Sequence, residues 1–336
     1  MKPLNEIFPL LSEPKNIVIT FHQKPDGDAM GSGLGLYNFL IQFGHNVKVI
    51  SPTNWAGFLS WMPGAKKALD FEMQNEKAVS ALKEAQWLFC LDFNVLSRTR
   101  NMEPVIEGLN CTKILIDHHE QPQVEAFDYG VSSTSKSSTA EMVFDFIMNS
   151  GHSEKINKDV AECLYAGVMT DTGSFRFKST TADVHRMVAK LKETGLDHSQ
   201  VHENLFDNFL EGRFRFFGNT LLNRMEILYE YNTALIAIPQ KDLIRFNVKT
   251  GDTEGLVNFP LSIKGIKLAA VIIDRGDERK SSFRSKGGFD VNTFARKYFN
   301  GGGHFNAAGG KNTESLEEVV KKFKEAIKEN SELLNS

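Results

Sequence analysis

Three short apolar runs each end in side chains of the kind that bind metal. Ile17-Val18-Ile19-Thr20-Phe21 leads into His22-Gln23-Lys24-Pro25-Asp26-Gly27-Asp28, Trp87 to Leu91 leads into Asp92, and Lys113 to Ile116 leads into Asp117-His118-His119. A fourth carboxylate, Asp171, lies at the expected end of a helix, where Thr172-Gly173-Ser174 opens a turn. Carboxylates gathered in one place repel one another and raise one another's pKa unless cations neutralise them. A divalent ion resolves this. Histidine and aspartate donors without thiolate suit Mn²⁺ first, then Mg²⁺, and tolerate Co²⁺ or Zn²⁺, because carboxylate oxygens prefer hard ions and imidazole accepts borderline ones. Two ions about 3.5–4 Å apart can share a carboxylate, hold a nucleophile in line and stabilise charge on phosphoryl oxygens. That is the chemistry of phosphoester hydrolysis.

Singly, these segments carry less. His22 to Asp28 also fits a polar turn whose aspartate caps the helical pattern from Ala29 to Phe43, and Asp92 alone decides nothing. Three adjacent polar groups directly after a buried strand are harder to explain by packing.

The positioning elements follow from the pattern. Apolar runs at Ile17, at Val47 to Ile50, at Trp87 and at Lys113 alternate with helical periodicity, which predicts an α/β fold with a mostly parallel sheet flanked by helices. In such open sheets ligands bind in the crevice beyond the carboxyl ends of the strands, so groups far apart in sequence should converge there. Ser138-Thr139-Ala140-Glu141 reads as the cap and first turn of a helix to Asn149, and Asn157 as the cap of another towards Met169. Ser132 to Ser138 reads as a surface loop.

A chain of 336 residues exceeds the usual single domain. We expect a metal-bearing domain over 1–195, a helical linker over 196–222 and a smaller α/β domain with a mixed sheet over 223–336. Phe206, Phe209, Phe214 and Phe217 in the linker read as packing residues. In the second half, Ile227 to Tyr231 and Ala234 to Ile238 flank Asn232-Thr233 like a hairpin. Its stretch Gly301 to Gly310, GGGHFNAAGG, would let backbone N–H groups approach a phosphate, with His304 and Arg284 adding charge-assisted hydrogen bonds. The alternative is a glycine-rich turn between Phe299 and Lys311. Lys264, Lys267, Arg275, Arg279, Lys280, Arg284 and Lys286 make this region locally basic, which suits a short anionic substrate. Arg98 fits either a phosphate contact or a solvated surface arginine.

Bulk properties narrow the class. A net charge of −3 argues against a grip on long nucleic acid, which needs many phosphates neutralised. No apolar run approaches the ~20 residues of a membrane span, and the first fifteen residues lack a secretion pattern, so a soluble, cytoplasmic protein with no membrane partner is expected. Cys90, Cys111 and Cys163 show no CxxC spacing and read as buried, reduced thiols.

Taken in order, HQKPDGDAMGS, the LDF containing Asp92, the IDHH ending at His119 and the TDTGSFRF containing Asp171 resemble the successive motifs of the DHH phosphoesterase superfamily. Ser282-Phe283-Arg284-Ser285 and the glycine stretch resemble the signature of the DHH-associated C-terminal domain, so the resemblance spans nearly the whole chain. Its compact length looks most like the NrnA-type enzymes, which degrade short oligoribonucleotides and dephosphorylate 3′-phosphoadenosine 5′-phosphate (pAp). The resemblance implies two ions, one held by His22, Asp26 and Asp92 and the other by Asp28, Asp92, His118 and Asp171, with Asp92 shared. It implies that Asp117 orients an imidazole and that His119 meets the scissile phosphate or protonates the leaving group. Arg98, Arg284, Ser285, Gly302, Gly303 and His304 become the expected substrate contacts, short RNA and pAp the substrates, and a homodimer the expected assembly. Rival readings are a cyclic di-AMP or pApA phosphodiesterase, a pyro- or polyphosphatase, and a non-catalytic sensor. The pyrophosphatase reading lacks its basic C-terminal signature here, and the sensor reading sits poorly with an intact set of ligands.

Overall fold

The apolar runs become strands and the periodic segments helices, in two units, Met1–Asn208 and Phe209–Ser336. The structure is a computed structural model describing residues 1–249 and 251–336. In the first unit the order is β1 (Asn16–Thr20), α1 (Gly27–Leu40), β2 (Asn46–Ser51), β3 (Leu69–Asp70), α2 (Asn75–Glu84), β4 (Trp87–Leu91), α3 (Glu103–Glu107), β5 (Thr112–Asp117), β6 (Tyr129–Ser132), α4 (Thr139–Asn149), α5 (Lys158–Asp171), α6 (Ala182–Lys192) and α7 (His198–Phe206). The six strands form one parallel sheet in the order β3-β2-β1-β4-β5-β6. Strand order therefore reverses between β1 and β4, the place in such sheets where a crevice opens at the carboxyl ends.

Both faces of this sheet are covered. Ile17, Ile19, Phe89, Ile114 and Ile116 pack towards α1, α4 and α5, while Val18, Ile50, Leu88, Cys90 and Leu115 pack towards α2 and α3. Burial on both sides is why these strands read as unbroken apolar runs rather than as alternating ones.

All of α1 is buried. A Cβ on Gly31 would lie 2.5 Å from the carbonyl oxygen of Cys163 and 2.8 Å from the amide nitrogen of Gly167, so α1 and α5 touch backbone to backbone. The two helices run antiparallel, with Gly27 beside Thr170 and Gly35 beside Leu164. This contact brings the first turn of α1, with Asp28, to the last turn of α5, with Asp171.

The second unit contains α8 (Glu211–Asn223), β7 (Met225–Leu228), β8 (Thr233–Ile238), α9 (Gln240–Arg245), β9 (Leu268–Asp274), β10 (Arg279–Ser285), α10 (Val291–Tyr298), β11 (Gly302–His304), β12 (Ala307–Asn312), α11 (Leu316–Glu329) and α12 (Ser331–Asn335). Its mixed sheet has the order β11-β12-β10-β9-β8-β7, with β8 and β9 parallel and the other pairs antiparallel. Leu235, Leu268, Ala270, Ile272 and Phe283 pack with Phe294 of α10 and Phe323 of α11. Ile236, Ile238, Val271 and Ile273 pack on the other face with Phe216 and Phe217 of α8 and Leu243 of α9. The expected hairpin forms between β7 and β8, its turn closed by Asn232 at a left-handed φ of 46°.

Residues 196–222 hold two helices, α7 and α8, and the units divide between them. The phenylalanine reading needs correction. Phe217 is buried and Phe209 stacks against the Arg213 guanidinium at 3.5 Å, but Phe206 is 44 % and Phe214 60 % exposed. The inward face of α8 is set by Phe216, Phe217 and Thr220, and helical periodicity turns Phe214 away from it.

Candidate metal centre

The loops that leave β1, β4 and β5 converge at the reversal of strand order. Asp26 caps α1, its Oδ1 accepting the N–H groups of Asp28 and Ala29 at 3.1 Å each. The capping role is thus real, and it leaves Oδ2 turned towards His22 Nε2, 3.8 Å away. His22 Nδ1 lies 2.8 Å from the Gln23 carbonyl oxygen, which only a protonated Nδ1 can satisfy, so Nε2 is the nitrogen aimed into the cluster. Asp92, directly after β4, adopts a left-handed φ of 61°, a conformation that aspartate tolerates better than most residues.

Asp92 divides its oxygens between two groups. Oδ2 lies 3.4 Å from His22 Nε2, while Oδ1 lies 3.4 Å from His118 Nε2. His118 Nε2 is also 3.8 Å from Asp28 Oδ2 and 3.6 Å from Asp171 Oδ2. His22, Asp26 and Asp92 each offer one ligand atom within a common 4.8 Å, as do Asp28, Asp92 and His118. Donors bound to one ion at about 2.1–2.2 Å stand about 3–3.7 Å apart for angles of 90–120°. Most of these separations fall in that range, and the donor set is a histidine with hard carboxylates on each side. The residues present fit two divalent ions.

The electrostatics agree. Burial and Arg98 both disfavour a protonated His22, yet Asp26 and Asp92 outweigh them and raise it to about 10. Burial likewise opposes protonation of His118, and Asp92, Asp171 and Asp28 overcome it, again to about 10. Burial pushes Asp28 well above the carboxylate range, with Asp92 and Asp171 adding to it. Burial also works against an ionised Asp92, but hydrogen bonds from His118 and His22 hold it well below that range. Without metal, protons on the two imidazoles supply the positive charge that the carboxylates require.

Asp117, fully buried, orients His119 rather than the imidazole in the ligand set: Oδ1 lies 2.7 Å from His119 Nδ1, and Oδ2 accepts the His119 backbone N–H at 3.1 Å. Arg98 reaches His119 Nε2 at 2.9 Å. The Arg98 carbonyl accepts the Gln23 N–H at 2.9 Å, tying the loop after β4 to the loop after β1.

One residue at the centre reads in the sequence only as part of a helix start. Thr139, the first residue of α4, is fully buried, and its hydroxyl donates to Asp92 Oδ1 at 3.0 Å. Its N–H donates to Asp28 Oδ2 at 2.6 Å, and the Ala140 N–H to Asp28 Oδ1 at 2.9 Å. The loop before it, read as surface, ends buried at Ser137 and Ser138. The signal was present in the capping sequence, which starts a helix beyond the carboxyl end of β6, beside β5.

Residues 16–168 match the N-terminal domain of the DHH family, and residues 232–329 match the DHHA1 domain. A solved structure described as an exopolyphosphatase-related protein from Bacteroides fragilis is 38 % identical, with a TM-score of 0.94 over 99 % of this chain and 98 % of that one. The chain belongs to the DHH family. Two curated relatives carry the name bifunctional oligoribonuclease and PAP phosphatase NrnA. The one from Bacillus subtilis is 28 % identical over 90 % of this chain and 91 % of its own length. The one from Thermus thermophilus is 29 % identical over 98 % and 94 %.

Within the DHHA1 domain, Arg284 lies on β10 and donates to the Phe283 carbonyl at 3.0 Å. Ser285 donates to the Phe289 carbonyl at 2.7 Å, and the Gly303 N–H donates to Asn292 Oδ1 at 2.9 Å, so both support the local fold. The glycine stretch forms the β11–β12 hairpin, where a side chain at Gly301 would overlap the Gly309 carbonyl and one at Gly303 the Ala307 carbonyl. Gly302 and Gly309, partners in register, meet nothing closer than 3.4 Å from an added Cβ. The glycine-rich turn therefore accounts for Gly301 and Gly303 and leaves Gly302 without a packing reason. His304 ends β11. No helix among the described residues is long and apolar enough to cross a membrane.

Proposed function

We propose that this DHH-family phosphoesterase is a Mn²⁺-dependent enzyme of the cytoplasm that hydrolyses RNAs of a few nucleotides to mononucleotides and dephosphorylates pAp to AMP. The observation that carries the two-metal part is the division of the Asp92 oxygens between the His22 and His118 groups at 3.4 Å each. Support for the substrate class comes from the two relatives named for oligoribonuclease and PAP phosphatase activity, and from a net charge of −3, which suits small substrates better than long strands.

Two bound divalent ions would supply Lewis-acid charge to the phosphoryl oxygens and lower the pKa of the attacking water. His22 and Asp26 would hold one ion, Asp28, His118 and Asp171 the other, and Asp92 both. Arg98 would meet the phosphate through a charge-assisted hydrogen bond, with His119 behind it. Arg284, His304 and the backbone at Gly302 would hold the nucleotide in the DHHA1 domain.

The test is Mn²⁺-dependent release of mononucleotide from a labelled 5-mer RNA, with pAp, pApA, cyclic di-AMP and pyrophosphate in parallel. Turnover of short RNA and pAp that disappears in His118→Ala and Asp92→Ala is the expected result. Preference for cyclic di-AMP or pyrophosphate would overturn the substrate assignment, and no turnover of any substrate would overturn catalysis.

A further inference from the structure

The two carboxylates that Thr139 touches come from different parts of the sheet, Asp28 from the first turn of α1 and Asp92 from the end of β4. Thr139 follows the cap residue Ser138, so its N–H is one of the helix-start amides that have no partner within the helix. Here that amide and the next one bind both oxygens of Asp28, at 2.6 and 2.9 Å. The partial positive charge of an 11-residue helix lies behind them. The hydroxyl has a single proton, and it goes to Oδ1 of Asp92 at 3.0 Å. The fully buried, β-branched side chain restricts χ1 and so keeps the oxygen beside Asp92, while the proton turns about the Cβ–Oγ bond to meet Oδ1.

We propose that Thr139 is a positioning residue for the dinuclear centre, fixing the rotation of the Asp92 carboxylate so that each oxygen faces its own donor group. The inference rests on the two-metal reading. Rotation of the Asp92 carboxylate about its terminal bond would turn Oδ1 away from His118 and Oδ2 away from His22, and the ions would no longer share it. A hydroxyl donor on Oδ1 opposes that rotation while leaving that oxygen a lone pair for an ion. Groups that orient metal ligands in this way typically contribute 10–100-fold to metal affinity.

The variants are Thr139→Val, which keeps the shape and the N–H but removes the hydroxyl, Thr139→Ser, which restores the hydroxyl on a freer side chain, and Thr139→Ala in case valine disturbs folding. Each is stripped of metal, checked for native melting in EDTA, and titrated with Mn²⁺ without substrate, following stoichiometry, affinity and the EPR signal of coupled Mn²⁺ pairs. Wild type should bind two ions with a coupled signal. The valine or alanine variant should bind 10–100-fold more weakly and lose the coupling, and serine should return affinity to within about threefold of wild type. If wild type binds two coupled ions and the hydroxyl-free variants do the same at equal affinity, the role of Thr139 is refuted and the two-metal reading stands. If wild type binds fewer than two ions, the two-metal reading fails first and this inference falls with it.

Discussion

The Arg98 guanidinium lies 2.9 Å from His119 Nε2, while Nδ1 of the same ring lies 2.7 Å from Asp117 Oδ1. Arginine has only N–H donors, so Nε2 is the lone-pair nitrogen and the ring proton sits on Nδ1. Burial lowers the pKa of His119, and Arg98 adds to that against the opposing pull of Asp117 and Asp92. The imidazole is therefore neutral, with both nitrogens engaged. In the proposed reaction it could protonate a leaving group only after Arg98 moves off Nε2 and that nitrogen takes a proton from solvent, and a phosphate arriving on Arg98 would free it.

Replacing Arg98 by alanine should accordingly move the His119 titration to higher pH, followed by NMR of the ring nitrogens. In the proposed reaction kcat/KM should fall about 10–100-fold, the worth of one charge-assisted hydrogen bond to phosphate. An unchanged rate would mean that Arg98 only holds the His119 ring and does not meet the phosphate.

Asp117→Asn tests the other side of the ring. Both Asp117 oxygens accept N–H groups of His119, and an amide can keep only one of those bonds while turning its own N–H₂ against the other. Stability should fall by about 1–3 kcal/mol from the mismatched buried group. Activity should fall at least a hundredfold, with Mn²⁺ affinity changed less than about threefold, as seen by titration of metal-free protein. A large loss of metal affinity would instead make Asp117 part of the ligand set.

The dependence on pH should change sign with metal. In metal-free protein His22 and His118 titrate near 10, above the ~6.5 of an unfolded histidine. Their stabilising contribution is complete below pH 6.5 and is lost as pH rises towards 10. Melting temperature in EDTA should therefore fall as pH is raised from 6.5 to 8.5. With Mn²⁺ each imidazole must release its proton, so apparent affinity should rise about tenfold per pH unit at each site, and melting temperature with limiting Mn²⁺ should rise over the same interval. A flat or rising EDTA profile would mean that the two imidazoles are not protonated in the folded protein.

Much of this centre was legible because its ligands sit where strands stop. Once Ile17, Trp87 and Lys113 open buried parallel strands, geometry brings His22, Asp92 and His118 to one edge, and the cap reading of Ser138 supplied the helix start but not its place beside them. What the sequence did not disclose depends on side-chain rotation and on pairing across the fold. Nothing in the residue order says that Asp117 serves His119 rather than His118, that Arg98 occupies Nε2, or that Thr139 reaches Asp92 47 positions away. The glycine stretch is ambiguous for another reason, because close strand approach and phosphate binding call for the same residue. The exposed Phe206 and Phe214 show a similar limit, since apolar content alone does not say which side of a helix is covered.

Two glycine-to-alanine changes should move stability in opposite directions. At Gly31 the added methyl would meet the Cys163 carbonyl oxygen at 2.5 Å and the Gly167 backbone at 2.8 and 2.9 Å, atoms that cannot rotate aside. To admit it α1 must draw away from α5, at a cost of about 1–3 kcal/mol or more. Asp28 rides on α1 and Asp171 on α5, so weaker Mn²⁺ binding should accompany the loss. Gly218 lies within α8, exposed, with nothing inside 4 Å of an added Cβ, and alanine there should stabilise by about 0.5–1 kcal/mol through helix propensity and a less flexible unfolded chain. Denaturant unfolding measures both. Gly31→Ala should lower the unfolding midpoint and Gly218→Ala should raise it. Wild-type stability and metal affinity in Gly31→Ala would show that the close approach of α1 to α5 is not what holds Asp28 and Asp171 together.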